Sequence, residues 1–161
     1  MSAAAADPRL RPARPAEAAE LTELAMRSKA YWGYDAAFLT ACRPELTMTA
    51  DRVAAGRTVV AEEAGSGRAI GFVTLEGEPP YGKIGMLFVE PAAIGRGAGR
   101  LLYGHALREA ARLGFTRVGI DADPQAEGFY QAMGAVTVSR VPSGAIPGRT
   151  LPHLVADVAA P

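Results

Sequence analysis

Six residues, Gly95-Arg-Gly-Ala-Gly-Arg100, lie between an apolar run, Ile84-Gly-Met-Leu-Phe-Val89, and a stretch of helical periodicity that ends at Gly114. No other feature restricts this chain as much. Leu102, Ala106, Ala110 and Leu113 recur on one helical face, while Arg96, Arg100, Arg108 and Arg112 fall opposite. The segment therefore reads as strand, tight turn, amphipathic helix. Glycine lets the backbone come close to a ligand and adopt positive φ. The free N–H groups and dipole at a helix start favour an anion. Three alternating glycines there point to an anionic ligand held by backbone N–H groups, with Arg96 and Arg100 able to add charge. The alternative is a turn that needs glycine for packing alone.

The rest of the chain sets that turn in a mixed sheet. Leu10-Arg11-Pro12 is short and suits an edge strand. Helical spacing runs from Pro15 to about Lys29, a second helix spans about 35–42, and a short helical stretch lies near 49–55. Two β-branched runs, 58–62 and 69–75, are separated by Gly65-Ser-Gly67 and read as a hairpin. Gly77-Glu-Pro-Pro80 is a second turn, before the strand at 84–89. After the long helix come a strand at 117–121, a short helix at 126–133, and strand candidates at 136–141 and 151–158. A hairpin followed by one strand–helix–strand unit implies an α/β (α+β by some schemes) fold. Its sheet is mixed, mostly antiparallel, of six to seven strands, flanked by about four helices. Residues 1–7 read as a loose tail and 8–161 as a single domain.

Several chemistries are disfavoured. Lys+Arg and Asp+Glu both number 17, so the chain lacks the basic excess of a dedicated nucleic-acid binder or a polybasic membrane anchor. A lone Cys42 excludes an internal disulfide and a Cys-rich zinc site, and two histidines, His105 and His153, make a metal site improbable. No apolar run approaches the roughly 18 residues of a membrane span. The N-terminus lacks the charged and Leu-rich regions of a signal peptide, so a cytoplasmic setting is expected. The Walker pattern fails because no Gly-Lys-Ser/Thr follows the glycines. The dinucleotide fingerprint fails on glycine spacing, although Asp121 lies where a ribose-binding acid would sit.

Two motifs together resemble the GNAT superfamily of N-acetyltransferases. Ile94-Gly-Arg-Gly-Ala-Gly99 is similar to its pyrophosphate motif, Gln/Arg-x-x-Gly-x-Gly/Ala, with Ile94 in place of the usual first residue. Asp123-Pro-Gln-Ala-Glu-Gly-Phe-Tyr-Gln-Ala-Met-Gly134 resembles a later motif, with Asp123 in place of the common Asn. They occur in the family's order and spacing.

The resemblance implies acetyl-CoA as co-substrate and an amine as acceptor; the neutral charge and the aromatic segment 31–34 favour a small-molecule amine, and the two scattered histidines favour no metal. It puts coenzyme A in a gap between splayed strands. Leu87, Phe88 and Val89 would run along the pantetheine, and Ile94, Gly95, Arg96, Gly97, Ala98, Gly99 and Arg100 would cradle the pyrophosphate. Asp123 and Phe129 are carried over as coenzyme-contacting positions. Tyr130 corresponds to the general acid that protonates the departing thiolate. Relatives are often homodimers. Where many relatives carry a Glu near the start of the fourth strand, this chain has Tyr81-Gly-Lys-Ile-Gly85. Glu76 and Glu78 become the candidate bases, with Asp35 and His153 behind them. The missing carboxylate also admits a coenzyme A-binding regulatory module without turnover. The family's acceptor site directs attention to Tyr31, Trp32, Tyr34 and Asp35 on one side and to the loop 143–149 on the other. There Arg149 could pair with a substrate carboxylate.

Overall fold

A computed structural model describes residues 7–159; the expected tail at 1–7 lies, apart from Asp7, outside them. Seven strands form one sheet: β1 (Arg9–Pro12), β2 (Thr58–Glu62), β3 (Ala69–Glu78), β4 (Tyr81–Val89), β5 (Arg117–Asp121), β6 (Val136–Pro142) and β7 (Thr150–Asp157). Their spatial order is β1-β2-β3-β4-β5-β7-β6. Every neighbouring pair is antiparallel except β4 and β5. The helices are α1 (Ala18–Ala30), α2 (Ala36–Leu46), α3 (Ala50–Ala54), α4 (Ala98–Leu113) and α5 (Glu127–Ala132).

Alternation along the strands divides the apolar side chains between two cores. Phe72, Val60 and Met86 meet Leu21 and Leu24 of α1 on one face. Val73, Leu75, Ile84, Val118 and Ile120 meet Leu102 of α4 and Tyr130 of α5 on the other.

Four details sharpen the sequence reading. The described residues form five helices, the stretch at 49–55 making one of its own, capped by the Thr49 hydroxyl accepting the Arg52 N–H at 3.1 Å. Helix α2 runs through Pro44 to Leu46 instead of stopping near Cys42. Cys42 and Leu46 are four apart and both buried, so packing holds the last turn. The turn expected at 77–80 narrows to Pro79-Pro80, since Glu76, Gly77 and Glu78 pair with Lys83, Gly82 and Tyr81. Helix α4 begins at Ala98, so Arg96 belongs to the preceding turn and not to the helix face.

The parallel contact of β4 with β5 is short. Only Tyr81, Gly82 and Lys83 pair, with Arg117, Val118 and Gly119. Phe115 sits beneath this junction: a Cβ on Gly82 would stand 2.6 Å from its Cε1 and 2.7 Å from its Cδ1. The buried ring cannot move aside easily. Gly82→Ala is expected to cost about 1–3 kcal/mol through overpacking, read as a lower midpoint of urea unfolding.

Candidate active site

Beyond Lys83 and Gly119 the two central strands part. Leu87, Phe88 and Val89 pair with Val73, Phe72 and Gly71, while Ile120 and Asp121 pair with Leu154 and His153. The facing edges of β4 and β5 therefore carry no ladder between them past that junction, and the sheet forks.

The glycine-rich turn stands at the open end of the fork. Gly95 and Gly97 hold φ of 88° and 86°, a conformation that glycine adopts without strain. The Arg96 N–H donates to the Ala93 carbonyl at 3.2 Å, and Leu101 closes the first helical bond onto Gly97 at 3.0 Å. The N–H groups of Ala98, Gly99 and Arg100 meet no acceptor among the described residues. An added Cβ on Gly95 or Gly97 would meet nothing within 4 Å among the described residues. A Cβ on Gly99 would lie 3.5 Å from the Phe129 ring and 3.8 Å from Val89, which places Phe129 beside the cradle. This arrangement fits a phosphate-bearing ligand. Arg96 lies 3.9 Å from Glu63, Arg100 forms no ion pair among the described residues, and Ile94 is exposed.

On the α4–α5 face, Tyr103, Phe129 and Tyr130 pack edge to face with centroids 5.1–6.3 Å apart. Tyr130 is buried, and desolvation, with Tyr103 beside it, raises its pKa above the ordinary tyrosine value. The Tyr103 hydroxyl is buried and has no hydrogen-bond partner among the described residues.

On the opposite face, the register of β3 against β4 jumps between Thr74 and Leu75, leaving Gly85 as an extra residue. The Thr74 hydroxyl fills the gap. It accepts the Met86 N–H at 2.9 Å and donates to Glu76 Oε2 at 2.9 Å. Arg52 of α3 reaches both carboxylate oxygens of Glu76 at 3.2 Å. A Cβ on Gly85 would coincide with Glu76 Oε2. The carboxylate that β4 lacks thus arrives from β3 into the space that a β4 side chain would take. Glu78, two residues nearer the turn, is largely exposed and bonded to Arg57.

Asp123 gathers side chains from three distant segments. Lys29 of α1 bonds its Oδ2 at 2.7 Å, Tyr34 donates to it at 2.8 Å, and Arg149 lies 3.4 Å away. Arg149 also donates to the Tyr34 hydroxyl at 2.9 Å and stacks over Phe38. Asp123 ties the α1–α2 turn and the β6–β7 loop to the end of β5. Burial alone would raise its carboxyl. The hydrogen bond and charge of Lys29, with help from the Gln125 N–H and Tyr34, outweigh that and hold it below the usual carboxylate range. A depressed pKa contributes stability that is present above the unfolded value and lost as pH falls through the folded one. Asp123→Asn is expected to lower stability by about 1–2 kcal/mol at neutral pH. It should also flatten the loss of melting temperature below about pH 4, as a pH series of thermal melts would show.

The other expected acceptor residues separate. Tyr31 and Trp32 are exposed and pack edge to face at 5.3 Å. Asp35 caps α2, its carboxylate accepting the Phe38 N–H at 2.8 Å. His153, read alone as a weak candidate, lies 2.6 Å from Asp121. Gly85, Gly119 and the Asp121–His153 pair escaped the sequence reading because only strand register brings them to their partners, and Lys29 escaped it because it meets Asp123 only through the packing of α1.

No helix among the described residues is long and apolar enough to cross a membrane, and no group of three or more His, Cys, Asp or Glu there could hold a metal ion. Comparison with known families matches residues 19–135 to the acetyltransferase (GNAT) family. A search of curated proteins finds no match. Among solved structures, a GCN5-related N-acetyltransferase from Rhodopseudomonas palustris is 24% identical, with TM-score 0.77, covering 98% of this chain and 99% of that one. The PaiA N-acetyltransferase of Thermoplasma acidophilum, in complex with coenzyme A, is 14% identical with TM-score 0.75, covering 94% and 99%. The ribosomal-protein-S18-alanine N-acetyltransferase of Escherichia coli is 12% identical with TM-score 0.68, covering 96% of each. These likenesses establish a shared fold.

Proposed function

The chain belongs to the acetyltransferase (GNAT) family, and from that premise we propose that it transfers an acetyl group from acetyl-CoA to the amine of a small molecule, by direct attack in a ternary complex. The observation that carries this reading is the Glu76 carboxylate at Gly85, which restores an acid–base group to the fork. The PaiA structure was determined with coenzyme A, which agrees with the open N–H cradle at 95–100.

Bound acetyl-CoA supplies the thioester carbon that is attacked and the sulfur that leaves. The N–H groups of Gly97, Ala98, Gly99 and Arg100 hold the phosphates. Leu87 and Phe88 alternate along β4, so one of them turns its N–H to the open edge and polarises the carbonyl. Tyr130 donates to the departing sulfur. Its raised pKa keeps it protonated, as a donor must be, and weakens it as an acid, so its hydrogen bond carries more of the effect than a completed transfer. Glu76 takes a proton from the nitrogen as the new bond forms, directly or through water. Placing both substrates in one fork supplies much of the rate through proximity.

The test is incubation with acetyl-CoA and a panel of amines (amino acids, tyramine, ethanolamine, spermidine), following thiol release and the acetylated product by mass spectrometry. Absence of acetyl-CoA binding would sink the proposal. Tight binding with no transfer across the panel would support a regulatory module instead.

A further inference from the structure

Two glycines flank the fork on the α1–α3 face, and each yields its side-chain space to the next strand. Gly85 admits the carboxylate of Glu76 from β3. Gly119 admits the imidazole of His153 from β7, whose Cε1 and Nε2 lie 3.0 and 3.6 Å from where a Cβ would stand. The face follows from alternation. Val118 and Ile120 enter the α4–α5 core, so Gly119 and Asp121 point the other way, as Glu76 does beside Leu75. Asp121 is the register partner of His153 and lies 2.6 Å from its Nδ1. Lys83 of β4 lies 3.4 Å from the other Asp121 oxygen. The ring thus reaches from β7 across β5, tied on one side and without a hydrogen-bond partner for Nε2 among the described residues; its side chain is 30% exposed.

We infer that His153, oriented by Asp121, removes the first proton from the acceptor's ammonium group, and that this step precedes the attack assisted by Glu76. An ammonium ion cannot attack, and two protons must leave the nitrogen before the amide is formed. The first passes to Nε2 of His153 and on to solvent. The second passes to Glu76 as the N–C bond forms and the C–S bond breaks. Glu76 then passes its proton to solvent, and the departing thiolate, hydrogen-bonded by Tyr130, takes one proton back, so the net release is one proton. A carboxylate on Nδ1 fixes the tautomer in which Nε2 carries the lone pair. The charged groups facing the ring are Asp121 and Lys83, with Glu76 and Arg52 on the other side of the fork.

The inference rests on the transferase reading, and one experiment separates the two. kcat/KM is measured from about pH 6 to about pH 10 with the best acceptor of the amine panel, for the wild type, His153→Gln and Asp121→Asn. His153→Gln is expected to lose about a hundredfold near pH 7 and less than about threefold near pH 10, where the free amine is present without help. Asp121→Asn should lose about tenfold with the same narrowing, and acetyl-CoA affinity should hold in both. A deficit constant across pH, or none, overturns the inference and leaves the transferase reading in place. A wild type that acetylates no amine overturns both. A second measurement needs no variant. The chain has only two histidines, so imidazole ¹⁵N shifts are readily assigned. Neutral His153 should carry its proton on Nδ1, and a proton on Nε2 would overturn the assignment.

Discussion

Gly97→Glu should abolish measurable acetyl-CoA binding, raising Kd about a thousandfold while the protein stays folded. Two effects combine. Gly97 sits at φ 86°, ψ 2° at the start of α4; a side chain there lets the free turn relax out of this conformation, and binding must restore it at about 1–3 kcal/mol. The glutamate also puts a negative charge among the N–H groups proposed to hold phosphates, reversing the favourable field of the helix start. About 4 kcal/mol in total corresponds to that factor in Kd. The space around Gly97 is open, so no core contact is lost and the melting temperature should fall only modestly. Gly97→Ala separates the two contributions, since it carries the strain without the charge and should weaken binding about tenfold. Calorimetry on the three proteins checks the order. Equal affinity for wild type and Gly97→Glu would remove the phosphates from this turn.

The reach of the sequence ends where pairing between distant strands begins. Strand–turn–helix at 84–113 was legible because its signals are local: an apolar run, alternating glycines, and a helical stripe ended by Gly114. The paired motifs at 94–99 and 123–134 gave the family because their spacing is written in the chain. The acid–base groups are written otherwise. Glu76 and Gly85 meet only through a one-residue slip between β3 and β4, filled by Thr74. Asp121 and His153 are 32 residues apart and face each other through the β5–β7 register. Asp123 looked like a coenzyme contact in a local motif. Its partners, Lys29, Tyr34 and Arg149, come from elements 89 or more residues upstream and 26 downstream. Hydrophobic periodicity reports which face a side chain takes. It does not report which residue stands opposite, and the chemistry of this fork depends on that.

Tyr130→Phe is expected to lower kcat about a hundredfold, with acetyl-CoA affinity unchanged within about threefold. The ring is buried between Tyr103 and Phe129, and phenylalanine keeps that packing, so only the hydroxyl is removed. A donor that acts on the departing sulfur contributes as negative charge builds there and little before, which is why the loss belongs in kcat and not in binding. Tyr103→Phe is the matched control. It deletes a second buried hydroxyl from the same cluster, one without a partner among the described residues, so it should be neutral or stabilising and leave kcat within about threefold. Acceptors do not change this expectation, because the leaving group is the same for every amine. A Tyr130→Phe protein that retains wild-type kcat with several amines, beside an equally active Tyr103→Phe, would show that the sulfur departs without a donor from α5.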